Sequence, residues 1–347
     1  MDVKTKWRLA AGAAALGLLA GAGAYAQDQG SGNESGGGSE SGSAALSADK
    51  PASQGAVKAL PAEIMPRTPQ SLLLDIKNTG DHLVAVGDRG AILVSNNGKD
   101  WAQVEVPVRA ALTSVVFADP QHGWAAGHDA AIVHTDDGGR TWKLQNFQPE
   151  LEKPVLGLLA LDAQRAYAVG AYGLMLATSD SGTTWSPVDT LGFNEEELHL
   201  NSIAKLNNGD LFIAGEQGLL AFSTDAGKTW KKQASPYDGS YFGVLPHGEK
   251  GALIYGLRGN VYVSADARSG KWTQLKTGTV ASMFGGASIP GDGEMLVGLN
   301  GVILTVSAEG ETRLLQTPAG TPLSGVVPYG SAALVVGESG VQPIKLQ

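Results

Sequence analysis

Residues 112–146 read LTSVVFADPQHGWAAGHDAAIVHTDDGGRTWKLQN. Short apolar-rich runs at Leu112 to Ala118, Gly123 to Gly127, Ala131 to Thr135 and Trp142 to Asn146 are separated by Asp, Pro, Gly and Thr residues that favour turns. Runs of this kind predict four short antiparallel strands, A to D, joined by tight connections.

One phrase within that stretch recurs along the chain: a small residue, Gly, two variable residues, a second Gly, then apolar alternation. It appears as AVGDRGAILVS at Gly87, AAGHDAAIVHT at Gly127, AVGAYGLMLAT at Gly170, IAGEQGLLAFS at Gly215, IYGLRGNVYVS at Gly256, LVGLNGVILTV at Gly298 and VVGESGVQPIK at Gly337. The spacings of 40, 43, 45, 41, 42 and 39 residues match the length of one propeller blade. A helical solenoid of similar period would need amphipathic segments repeating every 3.6 residues, which the sequence lacks. The fold class is therefore all-β, a seven-bladed β-propeller of four-stranded antiparallel blades over residues 55–347.

Two residues stand between the glycines of each B to C connection, as in Asp88-Arg89, a hairpin length that favours positive φ and hence Gly. Ala130 replaces the second Gly in blade two. The last copy ends at Gln347 just after its third strand, so the ring is expected to close by an N-terminal strand, Val57 to Met65, added to the last blade. That would put Pro61 and Pro66 on an outermost strand, where a missing N–H is tolerated.

Three C to D connections share a second pattern: TDDGGRTW from Thr135, TSDSGTTW from Thr178 and STDAGKTW from Ser223. These are Asp boxes, or BNR repeats. The carboxylates of Asp137, Asp180 and Asp225 are placed to accept bonds from turn amides, and Gly139, Gly182 and Gly227 permit left-handed backbone. Trp142, Trp185 and Trp230 are expected to pack between neighbouring blade edges. Blade one keeps a weaker form, VSNNGKDW, with Asn96 in the place of the Asp. Blade five has SADARSGKW with an extra residue before Trp272, and blade six has lost the Trp. Carboxylates repeated once per blade read as structural turn residues.

The chain has 347 residues, 48 Gly and no Cys, so core packing and strand pairing must hold the fold without disulfides. Lys4, Lys6 and Arg8 precede an apolar stretch from Leu9 to about Gly23, and Ala24-Tyr25-Ala26 supplies small residues for cleavage. Residues 1–26 therefore read as a secretory signal, since the stretch is short for a bilayer span of about 20 residues. A lipid anchor on a thiol has no Cys to use. Residues 27–54 are rich in Gly, Ser and Glu and read as a flexible leader. Cleavage would leave 22 basic and 33 acidic residues, a net charge of −11, which disfavours nucleic acid and anionic lipid. The mature protein is expected to be periplasmic or secreted, and soluble or peripherally associated with a membrane protein.

With these repeats and boxes, residues 55–347 resemble the photosystem II assembly and stability factor family of cyanobacteria and chloroplasts, including its non-photosynthetic bacterial relatives. The resemblance implies a seven-bladed propeller that assists a membrane protein complex, with partner recognition through an arginine-rich surface. Through its bacterial relatives it also implies an envelope membrane protein or export-type transporter complex as partner.

In such a blade the B to C turns and D to A crossovers share one face, opposite the A to B turns and Asp boxes. Arg67, Arg89, Arg109 and Arg258 fall on the first face, with Asp88, Asp129, Glu216 and Glu338 beside them; Glu195 to Glu197 form a solvated run in the longest crossover. The six His are scattered: His122 and His128 bracket one strand, His199 begins another blade, and no metal-ligand cluster or cofactor motif is visible. These residues define a binding scaffold, not an enzyme. The alternatives are a sialidase-like glycoside hydrolase, which would need three convergent arginines, and a carbohydrate- or peptide-binding funnel, for which Tyr172 is the exposed aromatic.

Overall fold

Seven antiparallel sheets follow one another along the chain in the computed structural model, which describes residues 57–289 and 293–345. The expected signal and leader lie outside the described residues. Blade two shows why each sheet forms where it does: its strands are Leu112–Phe117, Gly123–Gly127, Ile132–Thr135 and Lys143–Asn146, within a residue of the boundaries that the turn-forming residues predict. The first six sheets have four strands each and the seventh has three.

The second strand of each blade is almost wholly buried, and its period of two sends alternate side chains to opposite neighbours. In Leu83–Gly87 of blade one, Val84 and Val86 pack with Val115 and Val133 of blade two. Leu83 and Ala85 pack with Val327 and Leu334 of blade seven. The remaining clusters of buried apolar side chains join blades two and three, three and four, four and five, five and six, and six and seven. The core is thus a ring of interfaces, one at each junction.

Each innermost strand carries a bulge after its first residue, at Leu74, Thr113, Leu156, Asn201, Phe242, Phe284 and Ser324. An unpaired residue bends the strand and re-aims its side chain. Three of these side chains join consecutive blades: Thr113 donates to the Val155 carbonyl at 2.7 Å, Asn201 to Tyr241 at 2.7 Å and Ser324 to Leu73 at 2.6 Å.

The expected N-terminal strand in blade seven does not form. Blade seven consists of Leu323–Tyr329, Ala332–Gly337 and Gly340–Lys345. Residues 57–65 instead run irregularly along blade one: Ala62 N–H donates to Val106 O at 2.9 Å, and Gln103 receives Met65 N–H and donates to Glu63 O. The outermost strand of blade one is only Ala102–Gln103, and the segment bonds to the Gln103 side chain and to the Val106 carbonyl beyond it. Pro61 and Pro66 cannot donate, so a continuous ladder is denied to it. Ring closure rests on packing and on the Ser324 to Leu73 bond rather than on a shared sheet.

Candidate partner-docking face

The B to C turns are built alike. In blade one the Ala91 N–H donates to Asp88 O at 3.0 Å, and the central pair Arg89 and Gly90 has φ of 53° and 72°, a mirror-type hairpin turn. The left-handed pair is therefore Arg89-Gly90, one residue later than the Asp88-Arg89 spacing suggested. Gly87 is extended at φ −174°; what it provides is room, because a Cβ there would collide with the Leu72 carbonyl oxygen. That carbonyl accepts the Asp88 N–H at 3.1 Å, and each of the other blades repeats this bond from its B to C turn to the residue before strand A. The turns and the ends of the D to A crossovers thereby share one face.

At the equivalent of Arg89 stand Asp129, Tyr172, Gln217, Arg258 and Asn300, all at φ between 51° and 61°. Left-handed backbone costs most non-glycine residues about 1–2 kcal/mol, and Asn and Asp less, yet six of the seven turns place a non-glycine residue there. Ala130 takes φ 49° in place of the second Gly, and its buried methyl packs with Trp124 and Ile132.

The sequence-selected residues are spread over this face. Arg89 lies 3.6 Å from Asp88, and Arg109 forms a 2.9 Å pair with Glu63, so two of the three arginines around blade one already have carboxylate partners. Arg67 precedes the 3-10 turn Thr68–Gln70. Asp129 and Arg258 occupy their turns, and Glu338 donates its N–H to Pro322 O. Sequence reasoning treated Tyr172, His199 and Glu216 separately, and the fold brings them together. The Tyr172 and His199 rings meet edge to face at 4.7 Å, and Glu216 accepts the His199 backbone N–H at 3.2 Å. The two contacts join residues 27 and 17 positions apart in sequence, and no local pattern predicts their meeting.

The opposite face carries the Asp boxes. Asp137 accepts the N–H groups of Arg140 and Thr141 and the Thr141 hydroxyl, Thr135 accepts Gly139 N–H at 2.7 Å, and Trp142 donates to Gly139 O at 2.9 Å. Asp180 and Asp225 accept equivalent bonds. The Thr229 hydroxyl, then its N–H and the Ser223 hydroxyl, hold the Asp225 carboxyl down to about 2. Burial alone would raise Asp137, yet hydrogen bonds from Thr141, Thr135 and Arg140 leave it below the ordinary value. Carboxylates committed to their own turns are poor acid or base groups. In blade one Asn97, not Asn96, takes the Asp position, accepting from Lys99 and Asp100 N–H at 2.9 Å, because that box is one residue shorter.

On this face a cleft of about 710 Å³ opens between the boxes of blades five and six, lined by His247, Asp266, Lys271 and Glu309 among others. His247 Nδ1 donates to buried Glu294 at 3.0 Å, and this bond lifts the imidazole above its usual value against the effect of burial. Among the described residues no group of three His, Cys, Asp or Glu could hold a metal, and no helix is long and apolar enough to cross a membrane.

Seven sheets in a ring with Asp-box turns define a BNR-repeat β-propeller. The sequence profile described as photosynthesis system II assembly factor YCF48 matches residues 93–188 and 146–317. The chain belongs to that family. It is 34% identical over 185 residues to the photosystem II assembly lipoprotein Ycf48 of Nostoc sp., covering 51% of this chain and 52% of the relative. It is 40% identical over 53 residues to the chloroplastic photosystem II stability/assembly factor HCF136 of Guillardia theta, covering 15% and 13%. The matches thus span about half, or less, of these relatives. The solved structure described as YCF48 bound to D1 peptide aligns with a TM-score of 0.65 at 16% identity, over 83% of this chain and 100% of that one. Virginiamycin B lyase from Staphylococcus aureus aligns at 0.70 and 11% identity over 84% and 99%. At such identities these likenesses concern the fold, which serves unrelated activities.

Proposed function

We propose that this chain is an exported assembly scaffold whose B to C turn face docks onto a cell-envelope membrane protein complex, with an export-type transporter as the partner class. The carrying observation is the ring of left-handed turn residues, Arg89, Asp129, Tyr172, Gln217, Arg258 and Asn300, held outward at a backbone cost in a member of an assembly-factor family. A propeller of the same fold bound to a D1 peptide supports a peptide segment as the recognised element. Export through residues 1–26 and a leader at 27–54 belong to the same proposal.

The glycosidase reading lacks an observation in its favour: Arg89 and Arg109 face Asp88 and Glu63 rather than converging on an open site. The test is crosslinking in intact cells followed by purification of the full chain. A specific envelope membrane protein, lost when Arg89, Asp129, Tyr172, Gln217, Arg258 and Asn300 are together changed to Gly and kept when Arg140 is, is expected. Recovery of free monomer alone overturns the proposal, as does turnover of fluorogenic glycosides abolished by Arg89→Ala.

A further inference from the structure

Two crossovers clasp the Tyr172 turn of blade three. From the blade two side, Lys153 Nζ donates to the Tyr172 carbonyl at 2.9 Å and Ala171 N–H donates to Pro154 O at 3.0 Å. From the blade four side, Gly173 N–H donates to Leu198 O at 3.2 Å and the Thr190 hydroxyl donates to Gly173 O at 3.4 Å. These bonds set the crossovers that carry Leu151 and Leu191 on either side of the Tyr172 turn, and Leu151, Tyr172 and Leu191 are 39%, 45% and 58% exposed. The Tyr172 ring is held by its contact with His199, so an arriving group would meet a preset surface.

The same crossovers expose Glu150, Glu152, Asp189, Glu195, Glu196 and Glu197. Lys153 is the one Lys or Arg of these two crossovers, residues 147–154 and 188–199, and its ammonium is committed to the Tyr172 carbonyl. An exposed apolar group rimmed by charge of one sign has the anatomy of a docking site. Its potential selects a partner of opposite sign. The arginines around blade one are a weaker centre, since two are already paired.

We propose that the Leu151–Tyr172–Leu191 sector holds a basic peptide segment of the partner, its large apolar side chains on these three residues and its Lys or Arg side chains over Glu195 to Glu197. This rests on the docking role of the face and moves the centre of that role from blade one to blade three.

The probe is a fluorescein-labelled decapeptide of alternating Leu and Lys, read by anisotropy against the full chain, with Leu-Glu and Ser-Lys decapeptides as controls. The Leu-Lys peptide is expected to bind and to weaken on raising salt from about 50 to about 500 mM. The double change Leu191→Ser with Tyr172→Asn, Asn being tolerant of left-handed backbone, is expected to cost about tenfold or more in Kd. Glu195→Lys with Glu196→Lys should do the same, while Arg140→Ala on the opposite face leaves Kd unchanged. Unfolding midpoints near the parent's confirm that the variants are folded. Equal binding of the Ser-Lys peptide, no binding of the Leu-Lys peptide, or patch variants within about twofold of the parent overturns the proposal. If instead Arg89→Glu with Arg109→Glu abolishes binding, the sector is wrong and the docking face stands.

Discussion

Gly127 and Ala111 approach so closely that a methyl on Gly127 would sit inside the contact distance of the Ala111 carbonyl oxygen, the oxygen that accepts His128 N–H at 2.9 Å. The glycine leaves that oxygen free to fasten the B to C turn to the end of the preceding crossover. Substitution must push the turn away or break the bond. Gly127→Ala is expected to lose about 1–3 kcal/mol, the usual cost of overpacking, measurable as a lower urea midpoint with an unchanged m-value.

Trp142 is 6% exposed, lies between blades one and two with its ring edge-on to Phe117, and donates to Gly139 O. Trp142→Ala removes the large buried ring and the bond that holds the box closed. The expected loss is about 3–5 kcal/mol, with the transition followed by tryptophan fluorescence. Exposed Lys143→Ala should shift it by no more than about 0.5 kcal/mol.

Asp225 has a folded-state pKa of about 2 against an ordinary 3.8. A depressed carboxylate contributes stability that is present above the ordinary value and lost as pH falls through the folded one. Thermal scans between pH 5 and about pH 2 should therefore show the parent losing more stability than Asp225→Ala. Parallel curves would mean that the box bonds are absent in solution.

His247 behaves with the opposite sign. Its bond to Glu294 raises the imidazole, so its stabilisation is full below the ordinary histidine value and is lost as pH rises through the folded one. His247→Gln is expected to narrow the difference in midpoint between pH 5.5 and 8.5, with the largest loss at the acidic end. An unchanged difference would exclude a charged His247 in this pair.

The arrangement of blade two was legible in a line of sequence because its signals are local. Asp119-Pro120 and the Asp137 box punctuate strands whose period already matches the sheet. Asn97 was missed because the blade one box is a residue short, and the Asn96-Asn97 pair offers two side chains for one role. The N-terminal segment was misassigned for a different reason. Residues 57–65 have strand-like apolar content, but their place beside blade one rests on bonds to the Gln103 side chain and the Val106 carbonyl, which lie far along the chain.

The sequence by itself determined the seven repeats, the all-β class and the two faces, since glycine spacing and strand period act within about 40 residues. Tertiary structure alone decided that the ring closes by packing at Ser324 and Leu73. It alone paired Arg109 with Glu63 and His247 with Glu294, and it alone set Tyr172 against His199 between two acidic crossovers. Those contacts join residues tens to hundreds of positions apart, and their geometry exists once the blades are placed side by side.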